Sequence, residues 1–218
     1  MHKNIDNLEG IKNKLKQLKL DIPQTPKIIA VSKTFSVENI LPLVEYGHDH
    51  FGENKVQEAL EKWPKIKESY PKLKLHMVGK IQSNKVKFLL PVFDYLHSLD
   101  NIKVAEKISL EENKNNKKLK IFIQINIGNE PQKSGINIED LDEFYSTCVN
   151  EFNLNIVGLM CLPPSSKDPK EYFILLNKIS QKLNLKELSM GMSNDYLDAA
   201  QCGATYLRIG SKIFGERD

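Results

Sequence analysis

Short apolar runs typical of β-strands alternate with helix-like segments along most of the chain. Strands joined through crossover helices pair in parallel, and eight such units close naturally into a barrel. We therefore expect an α/β fold, a single (β/α)8 TIM-type barrel, with an open doubly wound sheet as the alternative. We expect one domain to span residues 1–218, with an extra N-terminal helix from about Ile5 to Leu20. The eight expected strands are 27–32, 48–52, 74–79, 94–100, 120–127, 155–160, 186–191 and 205–210.

Helix start and stop signals lie between these strands. Ser36 is a candidate N-cap, and Gly47 is a stop for the helix that it opens. The segment from Asp168 to Glu171 is a capping box with proline at the first helical position. The polar stretch 112–118 is expected to be a surface turn. The helix that begins after Asp168 is expected to bury a stripe of Tyr172, Leu175, Leu176, Ile179 and Leu183.

Composition argues against several classes of function. The 31 Lys and Arg residues against 28 Asp and Glu residues give a net charge of +3, with no long basic run to indicate nucleic acid. Three cysteines without a CxxC pair argue against a disulfide framework or zinc site and favour a reducing compartment. The N-terminus lacks a signal peptide's apolar core, and no apolar run approaches the roughly 18 residues that span a bilayer. We expect a cytoplasmic protein with no nucleic-acid or membrane partner.

The ends of the strands carry the candidate chemistry, because barrels gather function at the carboxyl end of the sheet. Lys33 follows the first apolar strand, where burial favours the neutral amine that Schiff-base formation requires. Ser193 follows the seventh strand, and Gly210 and Ser211 follow the eighth, at the recurrent phosphate site of such barrels. The alternatives are a lysine that extends to solvent, an ordinary helix cap and a simple turn. Together these residues favour a phosphorylated aldehyde.

Two other features suggest structure rather than chemistry. His48 and His50 resemble a metal pair, but they lie at the start of the second strand, which is the stability end of a barrel. No other His, Asp or Glu set has convincing ligand spacing, so we expect no metal. Trp63 and Phe173 lie on helical stripes and are expected in the core.

The motifs along the chain carry a family resemblance. They are AVSK at 30–33, FGENKVQE at 51–58, HMVGKIQSNK at 76–85, HSLD at 97–100, GLM at 158–160, LSMGMSNDYLDA at 188–199 and RIGSKIFG at 208–215. In this order they resemble the YggS/PROSC family of pyridoxal 5′-phosphate (PLP) homeostasis proteins, which is similar in fold to the N-terminal barrel of alanine racemase.

The resemblance implies a vitamin B6 handling protein. It implies that Lys33 holds PLP as a Schiff base, and that Ser193 with the backbone at Gly210 and Ser211 holds the phosphate. It further implies that Arg208 faces the pyridine nitrogen and keeps it unprotonated, which weakens the ring as an electron sink. The expected cofactor-binding residues are Lys33, Asn54, Met192, Ser193, Arg208, Gly210 and Ser211.

Three functions remain open at this stage. The first is a non-catalytic protein that buffers PLP or supplies it to PLP-dependent apoenzymes, expected as a monomer. It is favoured because the sequence ends at Asp218, without the C-terminal β-domain that supplies the second base of alanine racemase. The second is a PLP-dependent, racemase-like enzyme with weak activity, in which His76, Tyr196 or Lys80 supplies the missing acid or base. The third is a phosphosugar barrel enzyme that uses Lys33 without PLP.

Overall fold

A closed barrel of eight parallel strands forms the centre of the protein. The computed structural model describes residues 2–18 and 25–216. Each strand pairs with the next, and β1 pairs with β8, so the expected barrel is confirmed and the open sheet is excluded. The strands are β1 (Lys27–Val31), β2 (His50–Glu53), β3 (Lys74–Met77), β4 (Tyr95–Leu99), β5 (Lys120–Ile125), β6 (Ile156–Cys161), β7 (Glu187–Ser189) and β8 (Tyr206–Ile209).

Helices follow the strands and pack around the barrel. They are α1 (Lys3–Gln17), α2 (Val37–Glu45), α3 (Val56–Ser69), α4 (Ile102–Asn115), α5 (Leu141–Ser146), α6 (Pro169–Lys182), α7 (Tyr196–Gln201) and α8 (Ser211–Phe214). Short 3-10 turns at Ser83–Phe88 and Ile138–Asp140 and a π turn at Thr147–Glu151 complete the connections. The extra N-terminal helix is confirmed as α1, and its expected end at Leu20 lies outside the described residues.

A side-chain cap accounts for where α6 begins, but not for where α2 begins. The Asp168 carboxylate accepts a hydrogen bond from Lys170 N at 2.9 Å, with Pro169 at the first helical position as predicted. Ser36 occupies the N-cap of α2, but its hydroxyl accepts from the side chain of Asn39 instead of capping the backbone. The position predicted from sequence is therefore right, and the expected capping bond is absent.

The buried face of α6 agrees with the predicted stripe except at Leu175. Leu176 and Ile179 are buried as predicted, and Tyr172 and Leu183 are partly buried and pack against the core. Leu175 is instead 37% exposed. Phe173 and Trp63 are both fully buried, as expected.

The polar stretch 112–118 is only partly a turn. α4 continues to Asn115, and the chain reverses at Asn116 with a left-handed backbone. Glu112 is buried, because its carboxylate accepts a 2.7 Å hydrogen bond from Leu119 N and pairs with Lys118 at 2.9 Å. The prediction of a surface turn is therefore wrong for the first part of this stretch, where a buried carboxylate anchors the start of β5.

Two apolar layers hold the fold together. The larger lies between the helices and the sheet, and the smaller lies inside the barrel around Phe122 and Met160. Each large side chain buried in this way contributes about 1.5–3 kcal/mol. The three cysteines, Cys148, Cys161 and Cys202, form no disulfide. Within the described residues, no helix has the length and apolarity needed to cross a membrane.

Candidate functional site

A cavity of about 760 Å³ opens at the carboxyl ends of the strands. This volume is in the range of small-molecule sites. The seven residues predicted from sequence all line it: Lys33, Asn54, Met192, Ser193, Arg208, Gly210 and Ser211. The structure therefore brings together the lysine after β1 and the loops after β7 and β8.

Lys33 is held in place through its two chain neighbours. Ser32 Oγ donates a 2.8 Å hydrogen bond to Glu53 Oε1, and Thr34 N donates a 2.5 Å hydrogen bond to Glu58 Oε1. Thr34 has a left-handed backbone, with φ of 70°, which is a strained conformation for a β-branched residue. These two carboxylates fix the direction in which the half-buried Lys33 leaves the strand.

Glu53 is the buried centre of this support. Its Oε1 atom also accepts from Trp63 Nε1 at 3.1 Å and from Lys62 Nζ at 3.2 Å, and Lys62 Nζ also donates to Ser32 O at 3.1 Å. Burial raises the pKa of Glu53, and the charge of Lys62 opposes that rise. A buried carboxylate with three donors on one oxygen holds its neighbours rigidly.

Asn54 supplies an acceptor with no partner. Its Oδ1 atom is buried and makes no hydrogen bond to any described residue. Gly79 lies against it so closely that a Cβ at this position would come within 2.3 Å of Asn54 O. This acceptor borders the cavity and is therefore available to a donor group on a ligand.

The loop after β7 forms a tight turn. Met192 N donates a 2.6 Å hydrogen bond to Asp195 Oδ1, and Gly191 has a φ of +88° that few other residues adopt. Lys212 N donates to Ser193 Oγ at 3.4 Å, which joins this loop to α8. This hydrogen bond holds the loops after β7 and β8 side by side in the wall of the cavity.

α8 is fixed from behind by the N-terminal helix. Asn7 Nδ2 donates a 2.9 Å hydrogen bond to Ile213 O, and the rings of Phe35 and Phe214 stack with centroids 5.0 Å apart. The backbone amides at the start of α8 therefore sit on a rigid support. Small residues and a helix start of this kind allow an anion to approach the backbone.

Arg208 places a buried cation at the floor of the cavity. Its Nη1 atom donates to Ser189 Oγ at 2.7 Å, and its Nη2 atom donates to Cys161 O at 2.9 Å. Burial lowers the pKa of Arg208 from its usual value, although a guanidinium remains charged in proteins. The cavity thus offers an amine, a fixed cation, an orphaned acceptor and an anion cradle, a set that fits a small phosphorylated aldehyde.

Sequence reasoning missed the loop after β6. Leu162, Pro163, Pro164, Ser165 and Lys167 line the cavity, whereas Met160, the expected contribution of this strand, is buried inside the barrel. The Pro-Pro pair followed by two serines was the available signal, because such a stretch indicates an ordered loop.

Candidate acid and base residues lie elsewhere. Of the described residues, neither His76 nor Tyr196 lines this cavity, and both are buried. Lys80 and Lys133 line a neighbouring cavity of about 350 Å³, which shares Gly79 with the first. In residues 2–18 and 25–216, no group of three His, Cys, Asp or Glu side chains could hold a metal.

Comparison with known proteins agrees with this geometry. The family model described as alanine racemase, N-terminal domain, matches residues 7–218. A pyridoxal phosphate homeostasis protein of Vibrio cholerae is 39% identical over 202 residues, which cover 88% of this chain and 86% of the relative. PipY of Synechococcus elongatus is 29% identical in two solved structures. The one without PLP has a TM-score of 0.88 and covers 98% of this chain and all of PipY.

The second PipY structure has PLP bound, a TM-score of 0.85, and covers 97% of this chain and all of PipY. The fold, the family model and the curated relatives thus agree over nearly the whole sequence. The chain belongs to the family of pyridoxal phosphate homeostasis proteins, with the barrel of the alanine racemase N-terminal domain.

Proposed function

We propose that the protein binds PLP as a Schiff base on Lys33 and takes part in PLP homeostasis by buffering or supplying the cofactor. The observation that carries this proposal is the single cavity that Lys33 shares with Arg208 and with the loops after β7 and β8. Support comes from relatives named for PLP homeostasis and from a structural neighbour solved with PLP bound.

Each residue has a role in the proposed complex. The Lys33 amine would hold the aldehyde carbon, and the Ser193 hydroxyl with the backbone amides of Gly210 and Ser211 would hold the phosphate. Arg208 would face the ring nitrogen and keep it unprotonated. When bound, PLP supplies an electrophilic carbon that can be passed to another amine and a ring that can withdraw electrons.

Asn54 and Met192 complete the proposed site beside the ring. The orphaned Oδ1 atom of Asn54 would accept a hydrogen bond from a polar group on PLP. The Met192 side chain is 42% exposed at the rim, and it would cover an apolar edge of the ring.

We propose a carrier rather than an enzyme, because the described cavity lining contains no His or Tyr to act as a second base. Of the carboxylates in the lining, Asp195 accepts from Met192 N, and Asp198 pairs with Lys170 at 3.2 Å. Both carboxylates are therefore engaged by groups of the protein itself. In this proposal residues 1–218 form one domain that acts as a cytoplasmic monomer, and PLP-dependent apoenzymes receive the cofactor by exchange between amines.

Mass spectrometry after borohydride reduction in the presence of PLP tests the attachment site. We expect one modified peptide, with the label on Lys33. Modification on Lys80 or Lys133 without Lys33 would overturn the proposal, as would the absence of any label.

Steady-state assays on D- and L-amino acids test the proposed lack of catalysis. We expect no sustained turnover by the PLP-loaded protein. Sustained racemisation that disappears in Lys33→Ala would instead favour the racemase-like alternative.

A further inference from the structure

A chain of hydrogen bonds runs through the barrel interior below the cavity. His97 Nδ1 lies 2.7 Å from Ser189 Oγ, and His97 Nε2 lies 2.8 Å from His76 Nδ1. His76 Nε2 in turn lies 2.8 Å from His50 Nδ1. Three imidazoles from β2, β3 and β4 thus connect to Ser189 on β7, which accepts from Arg208.

Arg208 sets the direction of every bond in this chain. A guanidinium has no acceptor, so Arg208 must donate to Ser189 Oγ. Ser189 is fully buried, and its own hydrogen therefore goes to its other partner, His97 Nδ1. His97 then carries its hydrogen on Nε2 and donates to His76, which donates in the same way to His50. All three rings share one tautomer.

Burial favours the neutral form of each ring. Burial lowers the pKa of His76 well below its usual range, and neighbouring His97 and His50 lower it further. Burial and then the charge of Arg208 lower the pKa of His97 in the same direction. Each neutral ring therefore points its Nδ1 lone pair, the negative end of its dipole, toward Arg208.

Arg208 needs such support. Among the described residues, its guanidinium donates to Ser189 Oγ and to the backbone oxygen of Cys161. No ion pair within the described part of the polypeptide includes Arg208. The charge of Asp195 in the cavity lining opposes the fall in the pKa of Arg208 that burial causes, but Asp195 forms no ion pair with it. A buried cation without a paired carboxylate is costly unless dipoles compensate its charge. At the far end, His50 Nε2 lies 3.9 Å from the exposed Asp49 carboxylate, which suits the positive end of the chain.

We propose that Ser189, His97, His76 and His50 form a positioning chain that holds Arg208 as an oriented cation at the cavity floor. This deepens the proposed function, since the ring nitrogen of bound PLP would face that cation. The chain fixes the hydrogen-bond direction of the guanidinium and stabilises its charge through aligned dipoles. None of its members lines the cavity, so they act on the ligand only through Arg208.

Nuclear magnetic resonance on the protein without PLP tests the chain directly. Arg208 and Arg217 are the two arginines of the sequence, so arginine labelled with nitrogen-15 gives few guanidinium signals. We expect separate Nη–H signals for Arg208, because its two donors are fixed. We also expect nitrogen–nitrogen couplings across the His97–His76 and His76–His50 hydrogen bonds. Absence of these couplings in the unaltered protein would overturn the proposal without any variant.

Variants then test whether the far part of the chain acts on Arg208. His76→Phe keeps a ring but breaks the chain remote from Arg208, and we expect it to shift and broaden the Nη signals. Ser189→Ala should do the same, and Ser189→Thr should restore them. His48→Gln is the matched control, because His48 bonds to the backbone oxygen of His50 and lies outside the chain. Unchanged signals in His76→Phe and Ser189→Ala would overturn the proposal.

PLP loading separates this inference from the proposed function. We expect Ser189→Ala to weaken PLP retention about tenfold, the size expected for one lost bond to a charged group. The visible band of bound PLP should shift in His76→Phe but not in His48→Gln. If the unaltered protein loads no PLP on Lys33, the proposed function fails, while the resonance data still decide the chain. Normal loading with identical bands in all variants would refute the chain's effect on the ligand.

Discussion

The two ends of the barrel carry cavities of similar size but different chemistry. The cavity at the carboxyl ends measures about 760 Å³, and the one beside the starts of β1, β7 and β8 measures about 910 Å³. The larger cavity is bordered by Lys27, Lys186 and the side of α6, with no buried cation or orphaned acceptor among its described lining. Cavity volume alone would therefore favour the amino end over the end where we propose that PLP binds.

The difference follows from the direction of the strands. At the carboxyl end, each parallel strand passes into a loop that can vary without disturbing the sheet. There the lysine after β1, the orphaned Asn54 oxygen and the two loops that we propose to hold the phosphate converge. At the amino end, the groups between strands mainly close the barrel, as when Lys27 Nζ donates to Tyr206 Oη at 3.3 Å.

The largest expected difference between the two ends concerns the lysines. Lys33→Ala should lower PLP retention by at least about 100-fold, because it removes the covalent attachment. Lys186→Ala, at the larger cavity, should leave retention unchanged. Dialysis followed by absorbance measures both. Equal losses in the two variants would show that the amino-end cavity also binds PLP.

At the amino end, His48 should make its own contribution to the pH dependence of stability. Burial lowers the pKa of His48 from 6.5 to about 4, so the unfolded chain binds a proton that the folded chain excludes. Stability is then complete above pH 6.5 and falls as the pH drops toward 4. At pH 5, His48 alone should cost about 2 kcal/mol. Urea unfolding at pH 7 and pH 5 measures this loss, and His48→Gln should reduce it by that amount. A loss of the same size in the variant would contradict the assignment.

Close backbone contact at the mouth should make Gly79 intolerant of a side chain. Gly79→Ala would press a methyl group against the backbone of Asn54, with an expected loss of about 1–3 kcal/mol. Gly10→Ala is the control, because its Cβ would meet open space on α1, and it should stabilise by about 0.5–1 kcal/mol. Thermal unfolding measures both, and a stable Gly79→Ala would show that the two strand ends move apart easily.

The smallest expected effect concerns the phosphate loops. Ser193→Ala should weaken PLP binding about fivefold, the effect of one hydrogen bond of about 1 kcal/mol. Ser165→Ala, in the loop after β6, changes an exposed serine of the same cavity and should have no effect. Titration with PLP and with inorganic phosphate measures both. A phosphate affinity unaffected by Ser193→Ala would place the anion elsewhere.

The strands and the strand-end residues could be predicted from sequence, because both depend on local patterns. Apolar runs marked all eight strands, and Lys33 and Gly210 follow directly from where β1 and β8 end. The exposure of Leu175 on α6 and the burial of Glu112 could not be predicted, since each depends on how a helix docks on the barrel. Helical spacing defines a stripe only to within about one residue when apolar side chains are abundant.

The hydrogen-bond chain inside the barrel was also beyond sequence reasoning. His97 and Ser189 are 92 positions apart, and they meet only because the barrel closes with a particular stagger between strands. Nothing in the local sequence of either residue indicates this contact. A histidine after an apolar run is more simply interpreted as a core residue, which is where His97 lies.

The hydrogen bond from Asn7 to Ile213 joins residues 206 positions apart. Contacts of such long range form late, because the intervening chain must first be ordered. During synthesis on the ribosome, the amides at the start of α8 would be held in place only after α8 had emerged and docked on α1. A nascent chain would thus contain Lys33 well before the loop at α8 could bind an anion. Tight binding of PLP would therefore become possible only after α8 has docked.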